Sequence, residues 1–173
     1  TAWNPGLLED AVLPACHSFF TFYTREFSHA ELGIRIEEKK KLDDYEVYHD
    51  EYVKTNPNVP HQEIAVNFCK ENNIPTRGLS LMLVCRSQDY VAGTVSNIAQ
   101  YGLLAHLIAQ CVGMEAEELV WVGSNIHVYN NQLPMAKQLL ERTPSTNKCT
   151  LVLNPAIKNI DDFKFEDITI SNY

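Results

Sequence analysis

The chain has no C-x-x-C pair, no long apolar run, few cations and no glycine-rich phosphate loop. Its five cysteines, Cys16, Cys69, Cys85, Cys111 and Cys149, are odd in number and widely spaced, which excludes a dithiol redox motif or a zinc ribbon. Such usage fits a reducing, cytoplasmic compartment. No stretch approaches the roughly 20 apolar residues of a bilayer span, and no membrane partner is expected. Fourteen Lys and Arg against 22 Asp and Glu give a net charge of -8, which argues against a nucleic-acid or anionic-membrane face. A small basic pocket for one phosphate remains compatible with that balance. The absence of Walker and Rossmann loops, H-E-x-x-H and G-x-S-x-G excludes the corresponding nucleotide, zinc-protease and esterase chemistries. No metal is expected.

What is present is a 173-residue chain with an ordinary 45% hydrophobic content, enough for one domain with a buried core. Its start, Thr1-Ala2-Trp3-Asn4-Pro5, has neither a methionine nor a signal-peptide layout and reads as a piece of a longer chain. Residues 18–26 and 79–87 read as strands. The run Leu79-Ser80-Leu81-Met82-Leu83-Val84-Cys85 suits a strand buried on both faces. Residues 30–77 differ in composition and read as an insertion with one helix, from His61 to Asn72, and no second folded domain.

The clearest helix runs from Asn97 to Val112. Tyr101, Leu104, Ala105, Ile108, Cys111 and Val112 make its apolar stripe, Ser96 is the candidate cap and Gly113 the stop. Glu118 to Val122 and Val128 to Tyr129 read as extended. A helix opens at Leu133-Pro134-Met135 and ends before Pro144, and Cys149 to Leu153 and Ile168 to Ile170 supply further strands. Strands and helices intermix without a βαβ repeat, so the expected class is α+β, a mixed β-sheet packed against helices.

Several side chains can carry chemistry. Cys16, in Pro14-Ala15-Cys16-His17, is a nucleophile if its thiol ionises; otherwise it is a small core residue. Arg86-Ser87-Gln88-Asp89 ends the apolar strand. Arg86 offers a planar fork and Ser87 a hydroxyl for phosphate, the alternative being an Arg86–Asp89 ion pair. Gly93 allows a close backbone approach to a ligand or simply makes a turn. Asn97 can donate and accept along one base edge or merely start a helix. His127 and Tyr129 can reach a sugar hydroxyl or be satisfied core polars.

In combination these segments resemble the second half of thymidylate synthase over nearly all of the chain except about 30–77. Ala2-Trp3-Asn4-Pro5 is similar to the segment before the active-site loop, and Pro14-Ala15-Cys16-His17 to the nucleophile motif. Arg86-Ser87-Gln88-Asp89 resembles the phosphate and folate motif, and Asn97-Ile98-Ala99-Gln100-Tyr101 the base-reading helix start. His127-Val128-Tyr129 resembles the sugar strand, and Asp162-Phe163-Lys164-Phe165-Glu166-Asp167 the late acidic-aromatic segment. The resemblance implies a thymidylate synthase-like fold over residues 1–173 and transfer of a one-carbon unit from 5,10-methylenetetrahydrofolate to C5 of a pyrimidine deoxynucleotide monophosphate. By the same resemblance Cys16, Asp89 and Asn97 are catalytic, with Asp89 on the folate side. His17, Arg86, Ser87, Gln88, Asp89, Gly93, Asn97, His127 and Tyr129 are substrate-binding, and the enzyme is a homodimer.

Departures from the family pattern carry information too. Its Gly-x-Pro-Phe-Asn is here Gly93-Thr94-Val95-Ser96-Asn97, and its Gly-Asp-x-His is Gly123-Ser124-Asn125-Ile126-His127. Trp121-Val122-Gly123-Ser124 is closer to the nucleotide hydroxymethylases of the family, of the sort bacteriophages use for modified DNA, in which water captures the exocyclic methylene. Asparagine at 97 matches uracil readers, where the deoxycytidylate branch carries Asp, so dUMP is favoured over dCMP. The family's catalytic glutamate and paired arginines fall before Thr1 and its closing tail after Tyr173. Residues 1–173 alone are therefore expected to show little turnover.

Overall fold

The computed structural model describes residues 5–10, 16–143 and 145–172. Ala2-Trp3-Asn4, Pro14-Ala15 and Pro144, named above, lie outside the described residues. Strands β1 (His17–Glu26), β2 (Arg77–Asp89) and β3 (Glu115–His127) form a mixed sheet in the order β1-β2-β3. β2 runs antiparallel to β1 and parallel to β3. Helices α1 (His29–Glu38), α2 (Leu42–Thr55) and α3 (His61–Glu71) lie between β1 and β2, and α4 (Gly93–Cys111) between β2 and β3. After α5 (Leu133–Glu141), β4 (Thr150–Leu153) and β5 (Ile168–Ser171) pair antiparallel in a sheet of their own. The expected α+β class with a mixed sheet and packed helices is the observed one.

The alternation of β2 positions the rest. Leu79, Leu81, Leu83 and Cys85 are buried against Tyr101, Ala105 and Ala109 of α4, whose 3.6-residue period keeps those three on one side. Each buried leucine contributes about 1.5–3 kcal/mol, so Leu81→Ala would cost about 2–5 kcal/mol. The other face of β2 is only half covered: Ser80, Met82 and Val84 keep solvent contact, which corrects the expectation of a strand buried on both faces. Beside them Phe19, Tyr23, Val120 and Val122 are exposed.

Helix α4 begins at Gly93, four residues before the expected Asn97, and Ser96 is inside it and not its cap. Asp89 Oδ1 accepts from the backbone N–H groups of Val91 and Ala92 at 3.1 and 3.2 Å, shaping the turn that leads into the helix. The Ser96 hydroxyl donates back to the Ala92 carbonyl at 3.3 Å. Gly113, at φ 68°, ends the run as expected. β3 extends well past the expected 118–122, and Tyr129 falls outside it, at the entry to a short 3₁₀ turn. The Gln110 amide holds β4 near α4, donating to the carbonyls of Asn154 and Ile157 at 2.8 and 3.0 Å.

Where one helix was expected between residues 30 and 77, three form. Ser28 and Glu31 make a reciprocal capping box at the head of α1. Phe27, Leu32, Ile36, Ala65, Phe68, Cys69 and Ile74 make a separate apolar cluster, against which Tyr45 and Tyr48 of α2 pack. Helix α2 escapes a reading by apolar period because it buries no residue and docks through tyrosine rings edge-on to Phe68. At one side of this unit, imidazoles from all three helices meet, with His49 Nε2 and His61 Nδ1 2.6 Å apart and the His29 and His61 rings 6.4 Å apart.

Candidate active site

Topology gathers the candidate residues. Because β1 runs against β2 and β3 runs with it, the start of β1 and the ends of β2 and β3 share one end of the sheet. The connection from β2 to α4 is three residues long, so the head of α4 is held there as well. Cys16 extends the β1–β2 ladder, its carbonyl accepting from the Arg86 backbone N–H at 2.9 Å. The thiol-bearing residue and the guanidinium-bearing residue are therefore cross-strand neighbours.

A register shift between His17 and Phe19 sets His17 opposite Cys85, on the face that α4 covers. There His17 Nδ1 lies 3.1 Å from the Tyr101 hydroxyl, with the rings edge-on at 5.3 Å. A cavity of about 350 Å³ lined by His17, Phe20, Gln100, Tyr101 and Leu104 opens beside this contact. Burial pushes the Cys85 thiol above its ordinary pKa against a smaller opposing effect of Trp121, with Cys16 nearby adding to the rise, as suits a protonated core residue.

Asp89 is engaged on both oxygens. Oδ1 takes the two backbone N–H groups described above, and Oδ2 accepts from Gln132 Nε2 at 2.8 Å. The Gln132 bond, then the Ala92 and Val91 amides and the nearby His127, hold the Asp89 carboxyl below the usual carboxylate range, against a smaller opposing effect of burial. The alternative of Asp89 as an ion-pair partner for Arg86 gives way to this amide cradle. Gln132 was missed from the sequence, because an amide in the polar stretch Asn130-Asn131-Gln132 carries no spacing signal.

Gln88 is 3% exposed, and its amide is wedged between Gly93 and Asn97. Gln88 Oε1 accepts from Asn97 Nδ2 at 3.2 Å, and Gln88 Nε2 donates to the Asp89 carbonyl at 3.4 Å. A Cβ at Gly93 would lie 2.8 Å from Gln88 Nε2, so a larger residue here would press on the buried Gln88 amide, a side chain of the protein itself. Asn97 is half-buried in the second turn of α4 and not at its start.

His127 closes β3 opposite Asp89, its carbonyl accepting from the Tyr90 N–H at 2.9 Å. His127 and Tyr129 do not share a strand, yet their rings meet edge-on at 4.9 Å. Arg86 is exposed and Ser87 half-buried at the same end. The elements carrying Cys16, Arg86, Ser87, Gln88, Asp89, Gly93, Asn97, His127 and Tyr129 thus converge.

The Thymidylate synthase family model matches residues 1–173. The chain belongs to the thymidylate synthase family. A thymidylate synthase from Aster yellows witches'-broom phytoplasma (strain AYWB) is 28% identical over 172 residues, which are 99% of this chain and 42% of that protein. The chain thus spans less than half the length of this relative. The family assignment rests on the whole chain, the helical unit of α1 to α3 included.

A broader cavity of about 840 Å³ lies at the far end of the sheet, lined among others by Arg35, Lys70, His106, Gly113 and Leu153, and none of the candidate residues reaches it. Convergent chemistry, not volume, marks the site. Among the described residues no group of three His, Cys, Asp or Glu is arranged to hold a metal, and no helix is long and apolar enough to cross a membrane.

Proposed function

We propose that the full-length protein transfers a one-carbon unit from 5,10-methylenetetrahydrofolate to C5 of a pyrimidine deoxynucleotide, dUMP in preference to dCMP, giving the 5-hydroxymethyl nucleotide. The observation that supports this reading is the backbone ladder bond between Cys16 and Arg86, which makes the candidate nucleophile and the candidate phosphate fork cross-strand neighbours, with Asn97 at the same end of the sheet. Cys16 adds as thiolate to C6, so that C5 becomes the nucleophile and attacks the folate-borne methylene; C5 then loses its proton, tetrahydrofolate departs, and the thiolate is expelled when the product forms. Arg86 and Ser87 hold the phosphate, Asn97 the base edge, and His127 with Tyr129 the sugar. His17, next to Cys16 and with its ring hydrogen-bonded to the Tyr101 hydroxyl, binds substrate in this reading. Fixing both reactants in register supplies much of the rate.

The folate contributes a one-carbon group at the oxidation level of formaldehyde. Toward it the chain offers Asp89, whose depressed pKa keeps it ionised near neutrality. Three of its roughly four lone-pair sites are filled by Val91, Ala92 and Gln132, so Asp89 fits the pterin as an acceptor through the remaining site on Oδ2.

Water capture of the exocyclic methylene, leaving tetrahydrofolate, is favoured here by Val95 and Ser96, which stand exposed on the first turn of α4 where the family pattern has an apolar Pro-Phe pair. A second reading has support in the name of the phytoplasma relative: ordinary synthesis of dTMP, with a hydride from the folate completing a methyl group. Mass spectrometry of the product formed from dUMP by the full-length enzyme separates the two. A 5-hydroxymethyl product supports the first reading and a methyl product with dihydrofolate sinks it. Covalent capture of 5-fluoro-dUMP in the presence of methylenetetrahydrofolate by full-length wild type but not by Cys16→Ser tests the nucleophile, and failure of wild type to react would point to a non-catalytic binding module.

The same reading includes a homodimer. The exposed face of the sheet aligns Phe19, Val84 and Val122 in one cross-strand row and Met82 with Val120 in the next, an apolar surface suited to a second copy. Sedimentation of the full-length protein should give a dimer that Val122→Lys dissociates. A wild-type monomer at micromolar concentration would remove this part of the proposal.

A further inference from the structure

Gln88 and Thr94 are the buried polar side chains among the described residues, and both direct a donor at the Asp89 carbonyl, at 3.4 and 3.3 Å. A backbone carbonyl can only accept. The Gln88 amide therefore has its NH₂ on that side and its carbonyl on the other, where Oε1 takes the Asn97 N–H. Turning the Gln88 amide over would set oxygen against oxygen in a place sealed from water. Turning the Asn97 amide over would do the same one step further along, against Gln88 Oε1. The backbone at Gly93, packed against Gln88 Nε2, keeps the amide in its seat.

Uracil and cytosine have nearly the same shape and opposite polarity at the edge in question. One presents a donor at N3 and an acceptor at C4, the other an acceptor at N3 and a donor at C4. An asparagine free to turn over serves both. One whose amide is pinned serves one, since after giving an N–H to Gln88 it has a single N–H and one carbonyl left, in fixed places.

We propose that Gln88 is a positioning residue for base choice, locking Asn97 in one amide orientation so that the enzyme reads one pyrimidine edge and rejects the other. The inference rests on the reading of this end of the sheet as a pyrimidine nucleotide site. It assigns Gln88 no contact with the nucleotide, in contrast to the substrate-binding role expected of its motif.

The test uses the full-length enzyme and the ratio of kcat/KM for dUMP to that for dCMP. Gln88→Met keeps the length of the side chain and removes both hydrogen bonds, and should shrink the ratio by about tenfold or more. Gln88→Glu is the control: when protonated, its carboxyl donates to the Asp89 carbonyl and accepts from Asn97 as the amide does. Its ratio should approach that of wild type at about pH 6 and fall away at about pH 8 as the buried acid ionises. A Gln88→Met enzyme that loses activity equally on both nucleotides, its ratio kept within about twofold, would make Gln88 merely structural and overturn the proposal. Wild type that discriminates beside a variant that also discriminates defeats this inference alone. Wild type that neither binds nor converts either nucleotide, by calorimetry and turnover, defeats the reading of the site on which it stands.

Discussion

Asp89 and Gln132, 43 residues apart in the chain, are joined by a 2.8 Å hydrogen bond that ties the end of β2 to the turn before α5. The bond is the leading cause of the depressed Asp89 pKa. A carboxyl whose folded pKa lies below its unfolded value, about 3.9, stabilises the fold above that value, and the contribution is lost as pH falls through the folded pKa. Gln132→Ala should therefore cost about 1–2 kcal/mol at neutral pH, and the gap from wild type should narrow below about pH 4. Urea midpoints at several pH values measure it. A gap that widens in acid would contradict the assignment.

Arg35 anchors the helical unit to the sheet. Its guanidinium lies 3.5 Å from the centre of the Phe27 ring and meets Glu115 through two 2.8 Å bonds. A planar fork stacked on an aromatic ring and paired with a carboxylate is not replaceable by an ammonium. Arg35→Ala is expected to cost about 1–3 kcal/mol, and Arg35→Lys to recover less than half of the loss. Hydrogen exchange should show the loss concentrated in α1 and α3. Uniform loosening of α4 and β2 instead would mean that Arg35 does not act at this junction.

The sheet and α4 were legible in the sequence because their signals are local. The apolar run of β2 marks a strand, although it implies burial on both faces and only one is hidden, and of the stripe on α4 Tyr101 and Ala105 are buried while Val112 is exposed. Helices α1 and α2 were not legible, since α1 buries Leu32 and Ile36, and α2 rests its half-buried tyrosines, on a cluster that includes Phe27 and Phe68, outside the charged stretch that hides them. The candidate residues were legible as a set through family resemblance, and topology accounts for their convergence at one end of the sheet. The roles of Gln88 and Gln132 were not, because a hydrogen bond between an amide and a partner 9 or 43 residues away leaves no period and no motif.

Gly93 gives an independent handle on the Gln88 seat. Alanine there would gain up to about 1 kcal/mol of helix propensity, while its Cβ, 2.8 Å from Gln88 Nε2, would add a clash worth about 1–3 kcal/mol. The clash should win, so Gly93→Ala is expected to lower stability and weaken nucleotide binding. Adding Gln88→Ala opens the space again, and the double variant should be more stable than the sum of the two single changes. Strict additivity in a thermodynamic cycle would show that the two residues do not press on one another.

If the proposed hydroxymethyl product is right, it can be moved. Val95 is the third residue of α4, where the backbone N–H has no partner within the helix, so proline is tolerated there, and Ser96 is exposed and contributes only a bond to the Ala92 carbonyl. Val95→Pro with Ser96→Phe can thus be introduced with little cost to the fold. If water reaches the methylene because this turn is polar, an apolar wall should exclude it and raise the methyl product at the expense of the hydroxymethyl one. Product ratios by mass spectrometry, at matched thermal stability, decide the matter. A folded double variant that still makes only the hydroxymethyl nucleotide would place the control of water elsewhere, with Trp121 to Ser124 the next segment to exchange.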